Sequence, residues 1–199
     1  MVILIKILVG IFAGVCSFPL SAYAHFTTEM GDFYGGILHP ITDSQTILPI
    51  LGFALWTSQQ GIKQAGKMMM LYAGIIPIGA FMGFMNTGFL PGHVFWLCVL
   101  AGIGCLITCE YRPGLPLAFA ITVVLSIYAG YANVFEVKDK IGDPVLYIVG
   151  LILGAGLLVL YLTGFLLSRK VEWKNIAIRI AGCFIFVAGV LFFVLKFPF

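Results

Sequence analysis

The chain has 199 residues, of which 61% are hydrophobic and 10% charged, with a mean hydropathy of +1.10. A water-soluble domain carries roughly 25% charged residues, so this chain cannot clothe a surface facing water, and the bilayer must be its solvent. The formal net charge of +3 says little, and the sequence has no phosphate-cradling glycine loop, nucleic-acid patch or nucleophile–base arrangement. The expectation is an integral membrane protein that is neither an enzyme nor a nucleic-acid binder.

Residues 1–24 read as a secretory signal. Lys6 supplies the positive region, Ile7 to Phe18 the apolar core, and Ser21-Ala22-Tyr23-Ala24 the small-residue cleavage site. Val15 is bulky where a lipoprotein signal needs a small residue before Cys16, and an uncleaved first helix is the main alternative. Cleavage after Ala24 leaves His25 at the mature N-terminus, where a free α-amine beside an imidazole can chelate a transition metal. Residues 25–199 then form one membrane domain. The five cysteines (16, 98, 105, 109 and 183) make no CxxC pair and no zinc spacing, so they read as small apolar residues without a disulfide.

A spanning helix needs about 20 mostly apolar residues. The first mature span is expected over Thr46–Gln60, led in from Tyr34 through Gly35-Gly36-Ile37-Leu38-His39-Pro40. Met68–Phe89, His93–Cys109, Leu115–Tyr131, Pro144–Leu167 and Ile176–Leu195 follow, giving an all-α bundle of six spans. With the mature N-terminus outside, the inner loops hold Lys63, Lys67, Arg112, Arg169, Lys170, Lys174 and Arg179; the outer segments hold only Lys138, Lys140 and Lys196. That bias follows the positive-inside rule and points both mature termini outward.

Glycines spaced by four, Gly79/Gly83 and Gly150/Gly154, are expected to let helix backbones approach closely. Trp56, Trp96, Trp173 and Tyr131, near span ends, read as interfacial anchors. His39 and Asp43, four residues apart, would share one face of a continuous helix. Imidazole and carboxylate together suit a borderline divalent cation. Thr42-Asp43-Ser44 also reads as a helix N-cap. His93 reads as a loop histidine, and Glu110 with Arg112 as an interfacial polar cluster.

On these residues the chain resembles the HupE/UreJ family, small membrane proteins tied to hydrogenase and urease maturation and regarded as nickel or cobalt permeases. The likeness rests on several features. They are His25 after the signal, the Gly-Gly-x-Leu-His-Pro lead-in, Trp56, the Leu90-Pro91-Gly92 turn, a Gly130 turn, and Arg179-x-Ala181-Gly182 with Gly189. The family's first-span pattern, His-Pro-x-x-Gly-x-Asp-His, is met by His39 and Pro40, but its glycine is Asp43 here and its Asp-His pair falls on Gln45 and Thr46. The family's histidine-rich stretch after the fourth span falls on Ala129, Tyr131 and Asn133, and a fifth-span histidine on about Val159. The resemblance thus implies the fold, while most imidazoles that would line a Ni²⁺ or Co²⁺ route are replaced.

Three readings stay open. One is a secondary permease of the bacterial inner membrane for a divalent metal ion. His25, His39 and Asp43 would form its outer site, and Gln45 and Thr46 would lie further along the path. The second is a non-transporting subunit whose glycine faces pack a membrane-complex partner or another copy. The third is an extracytoplasmic metal sensor or chaperone centred on His25.

Overall fold

The computed structural model describes residues 31–85, 92–168 and 173–196, and the expected signal and His25 lie outside them. The described residues form seven α-helices and one 3-10 turn, with no strand among them. The first expected span is two helices, α1 (Asp32–Thr42) and α2 (Ser44–Gln59). Pro40 brings no N–H to the carbonyl four residues back. Asp43 then turns extended (φ −88°, ψ 124°) and its carboxylate accepts from the Gln45 N–H at 3.3 Å, capping α2.

Gly61, at φ 80°, reverses the chain into α3 (Ile62–Phe84). Past α4 (Gly92–Thr108) the chain turns at Glu110, whose φ is 50° and whose carboxylate pairs with Arg112. α5 (Leu115–Phe135) starts with proline in its first turn. After the 3-10 turn Lys138–Lys140, α6 (Pro144–Ser168) is capped by Asp143, which accepts from Val145 and Leu146 at 2.9 and 3.1 Å. α7 (Lys174–Lys196) closes the bundle. Four of these helices are long and apolar enough to cross a membrane: Ile62–Phe84, Leu115–Phe135, Pro144–Ser168 and the Lys174–Phe192 part of α7. α4 is a shorter apolar helix, and His93 belongs to its first turn rather than to a loop.

Three glycine-seated pairs build the bundle: α1 with α6, α3 with α5, and α4 with α7. A Cβ at Gly36 would collide with the Tyr147 carbonyl and Leu151 amide, and one at Gly130 with the Ile76 carbonyl and Ala80 amide. Each of these glycines sits on the backbone three residues before and one after a partner glycine, Gly150 in the first pair and Gly79 in the second. The two pairs therefore share one packing register. Phe33 and Ile37 meet Gly150 and Gly154 in that order, so α1 and α6 run parallel; Ile127 and Tyr131 meet Gly79 and Gly83, so α3 and α5 do too. Gly104 meets Phe186 while Gly189 meets Ala101, so α4 and α7 run antiparallel. Without a hydrophobic force between helices in lipid, such close approach is a main source of adhesion.

Two expectations change here. Gly130 makes no turn: it lies inside α5, because its missing side chain is what admits α3. Trp56 and Tyr131 are not interfacial anchors, being 0% and 5% exposed. The Trp56 indole N–H donates to the Tyr111 carbonyl at 3.0 Å, a part-buried tie between α2 and the α4–α5 loop. Trp173, 66% exposed, keeps the position of an interfacial ring.

Candidate functional site

Polar groups converge where α1 breaks and α5 ends. His39, buried on the last turn of α1, lies with Nδ1 3.1 Å from the Asn133 Oδ1 of α5. The two residues hold equivalent places in their pairs, His39 three residues past Gly36 and Asn133 three past Gly130. Asn133 is held twice more. Its amide N–H donates to the Ala129 carbonyl at 2.8 Å, and its own carbonyl accepts the Tyr147 hydroxyl at 2.7 Å.

Below the break, Gln45 donates from its side-chain amide to Glu136 at 3.4 Å, and its backbone carbonyl accepts the Tyr128 hydroxyl at 3.3 Å. Pro49 explains the second bond. It sits four residues on, brings no N–H, and leaves that carbonyl without its helical donor. In an apolar medium such a freed carbonyl must find another donor.

A cleft of about 20 Å³ opens beside His39, lined also by Asp32, Gly35, Lys140, Ile141 and Tyr147. Asp32 is engaged at its rim, accepting from the Gly142 and Asp143 amides at 3.2 and 2.6 Å. This is enough space for one water-sized group.

The family can now be set beside this geometry. The HupE / UreJ protein family matches residues 13–192, most of the chain. The chain belongs to the HupE/UreJ family. Comparison with curated proteins and with solved structures gave no match. HupE/UreJ proteins are a membrane accessory and transport family, and the four long apolar helices of this member accord with a membrane location.

The residues singled out in sequence land as follows in this HupE/UreJ chain. His39 sits at the centre of the cluster. Asp43 lies at the break and caps α2, so the two do not share a continuous helix. Gln45 joins the cluster through Glu136 and Tyr128. Thr46 is buried, its hydroxyl donating to the Asp43 carbonyl at 3.2 Å. His25 lies outside the described residues. Among those residues no three His, Cys, Asp or Glu side chains gather as a metal cage. Val159, where a family histidine would fall, is core.

Sequence reasoning missed Tyr128 and Tyr147, because buried tyrosines in apolar helices look like packing. Proline four residues after Gln45 was the available signal for Tyr128. Deeper in the bundle, the Tyr72 ring stacks on Phe53 (4.4 Å, 16°), and its hydroxyl has no partner among the described residues.

Proposed function

We propose that this HupE/UreJ protein is a secondary permease for a divalent transition-metal cation, nickel or cobalt by family, in the bacterial inner membrane with both mature termini outward. The observation that carries the reading is the broken helix at Asp43, with His39, Gln45, Tyr128, Asn133 and Glu136 converging on it. Discontinuous helices with freed carbonyls and polar side chains are how transporters build ion sites inside lipid. The donors strung along the break are one imidazole, the Asp43 and Glu136 carboxylates, and amide and backbone oxygens, which do not gather into one three-ligand cage. Such a set binds weakly, which suits an ion that must also leave. His25 of the exported N-terminus would add a second imidazole, and Gln45 and Thr46 lie further along the path.

The experiment is uptake at limiting metal in a deletion strain, for several metals, complemented by wild type or His39→Ala. Reduced uptake with His39→Ala supports the permease. A deletion strain that accumulates every tested metal as wild type does ends it.

One observation favours a second reading, a non-transporting subunit of a larger membrane complex. Fewer than three candidate metal ligands gather among the described residues, while the glycine-seated scaffold is kept. Co-purification of a partner in mild detergent, with uptake unaffected by deletion, is its expected signature.

A further inference from the structure

We infer that Asn133 is a positioning residue that holds His39 in the Nδ1–H tautomer, leaving Nε2 with a bare lone pair. The chain of reasons is short. The Ala129 carbonyl can only accept a hydrogen bond, so the Asn133 atom 2.8 Å from it must be the amide nitrogen. This fixes which way the amide faces, a choice that otherwise rests on the hydrogen-bond network alone. The other end, Oδ1, then faces His39 Nδ1 at 3.1 Å. An amide oxygen carries no proton, so the hydrogen of that bond sits on Nδ1. In a neutral imidazole Nε2 is then bare.

The surroundings make this arrangement stiff. The Tyr147 hydroxyl pins the Asn133 backbone at 2.7 Å, and the Tyr147 ring stands edge-on to the imidazole at 6.5 Å and 64°. Asn133 itself is fully buried and His39 nearly so. His39 Nε2 has no hydrogen-bond partner among the described residues, and His39 lines the cleft that Asp32, Lys140 and Tyr147 also line. A histidine that donates from one ring nitrogen to an oxygen and offers the other is set up as a metal ligand. The inference rests on the permease reading only for what Nε2 meets: a borderline divalent cation that has shed part of its hydration. The tautomer follows from the hydrogen bonds alone.

The test uses the full chain in lipid bilayers, with nitrogen-15 histidine and NMR at mildly alkaline pH. The three histidines at 25, 39 and 93 are told apart by the signal that His39→Gln removes. Wild type is expected to show His39 protonated on Nδ1 and bare on Nε2. Asn133→Asp, which still offers an acceptor oxygen, is expected to keep the proton on Nδ1. Asn133→Leu is expected to move the proton to Nε2. Wild-type His39 protonated on Nε2, or an Asn133→Leu spectrum identical to wild type, overturns the inference.

Uptake of Ni²⁺ and Co²⁺ is measured on the same variants. Outer partners of ligating histidines are worth about 10- to 100-fold, so Asn133→Leu should lose about tenfold and Asn133→Asp much less. If the spectra are as expected but His39→Ala transports as wild type, the tautomer stands and the permease reading falls.

Discussion

Tyr128 and Gln45 are joined across two helices at 3.3 Å, phenol to carbonyl, because Pro49 leaves that carbonyl without its helical donor. Removing the hydroxyl by Tyr128→Phe should cost about 1 kcal/mol. Pro49→Ala restores an N–H to the same carbonyl, so in that background Tyr128→Phe should cost clearly less. Thermal unfolding of the four proteins in detergent gives the coupling. Strictly additive costs would show that the phenol does not replace the missing amide.

The glycine seats make a sharp contrast within one helix type. Gly150→Val drives a branched side chain into the Phe33 carbonyl and Ile37 amide, and overpacking of this kind costs about 1–3 kcal/mol even where side chains can yield. Gly74, also helical, has nothing within 4 Å of an added Cβ. Gly74→Ala should raise stability by up to about 1 kcal/mol, the helix-propensity difference. Melting temperatures that fall equally for both variants would argue that glycine spacing is not what joins α1 to α6.

Two tryptophans that look alike in sequence should behave differently. Trp56→Phe removes the N–H that reaches Tyr111 and opens space in the core, for a loss of about 1–3 kcal/mol. Trp173→Phe, at an exposed position, should stay within about 0.5 kcal/mol. Denaturant midpoints in the same detergent compare them directly.

At Asp43 the cap and the charge can be separated. Asp43→Ser keeps a capping oxygen while removing the carboxylate, and Asp43→Ala removes both at a cost of about 1 kcal/mol. If the carboxylate helps hold a cation, Asp43→Ser should lower metal uptake with unfolding unchanged. Uptake equal to wild type in Asp43→Ser would reduce Asp43 to a cap.

Element positions were legible because apolar length and helix-stop chemistry are local: α6 begins at the expected Pro144, and α5 starts at the expected Leu115 but runs four residues past Tyr131 to Phe135. The break at Asp43 is half legible: Thr42-Asp43-Ser44 carries a capping pattern, but the apolar run around it does not mark two helices in place of one. Pairing was not legible. Gly79 and Gly150 announce close packing, yet nothing local says that their partners are Gly130 and Gly36. His39 and Asn133 lie 94 residues apart, so their meeting depends on how distant helices pack and not on any local motif. Trp56 misled for the same reason: its place near a helix end was visible, the covering α4–α5 loop was not.

In the α1–α6 and α3–α5 pairs, backbone rests on backbone, and no rotamer change can absorb a displacement there. Each pair must then travel as a single beam. The seam between the two pairs is of another kind: near the break it is crossed by the hydrogen bonds that join Asn133 to His39 and to Tyr147. Side-chain hydrogen bonds, unlike backbone seats, can be exchanged for other partners, so the two beams are held to each other by the more replaceable contacts.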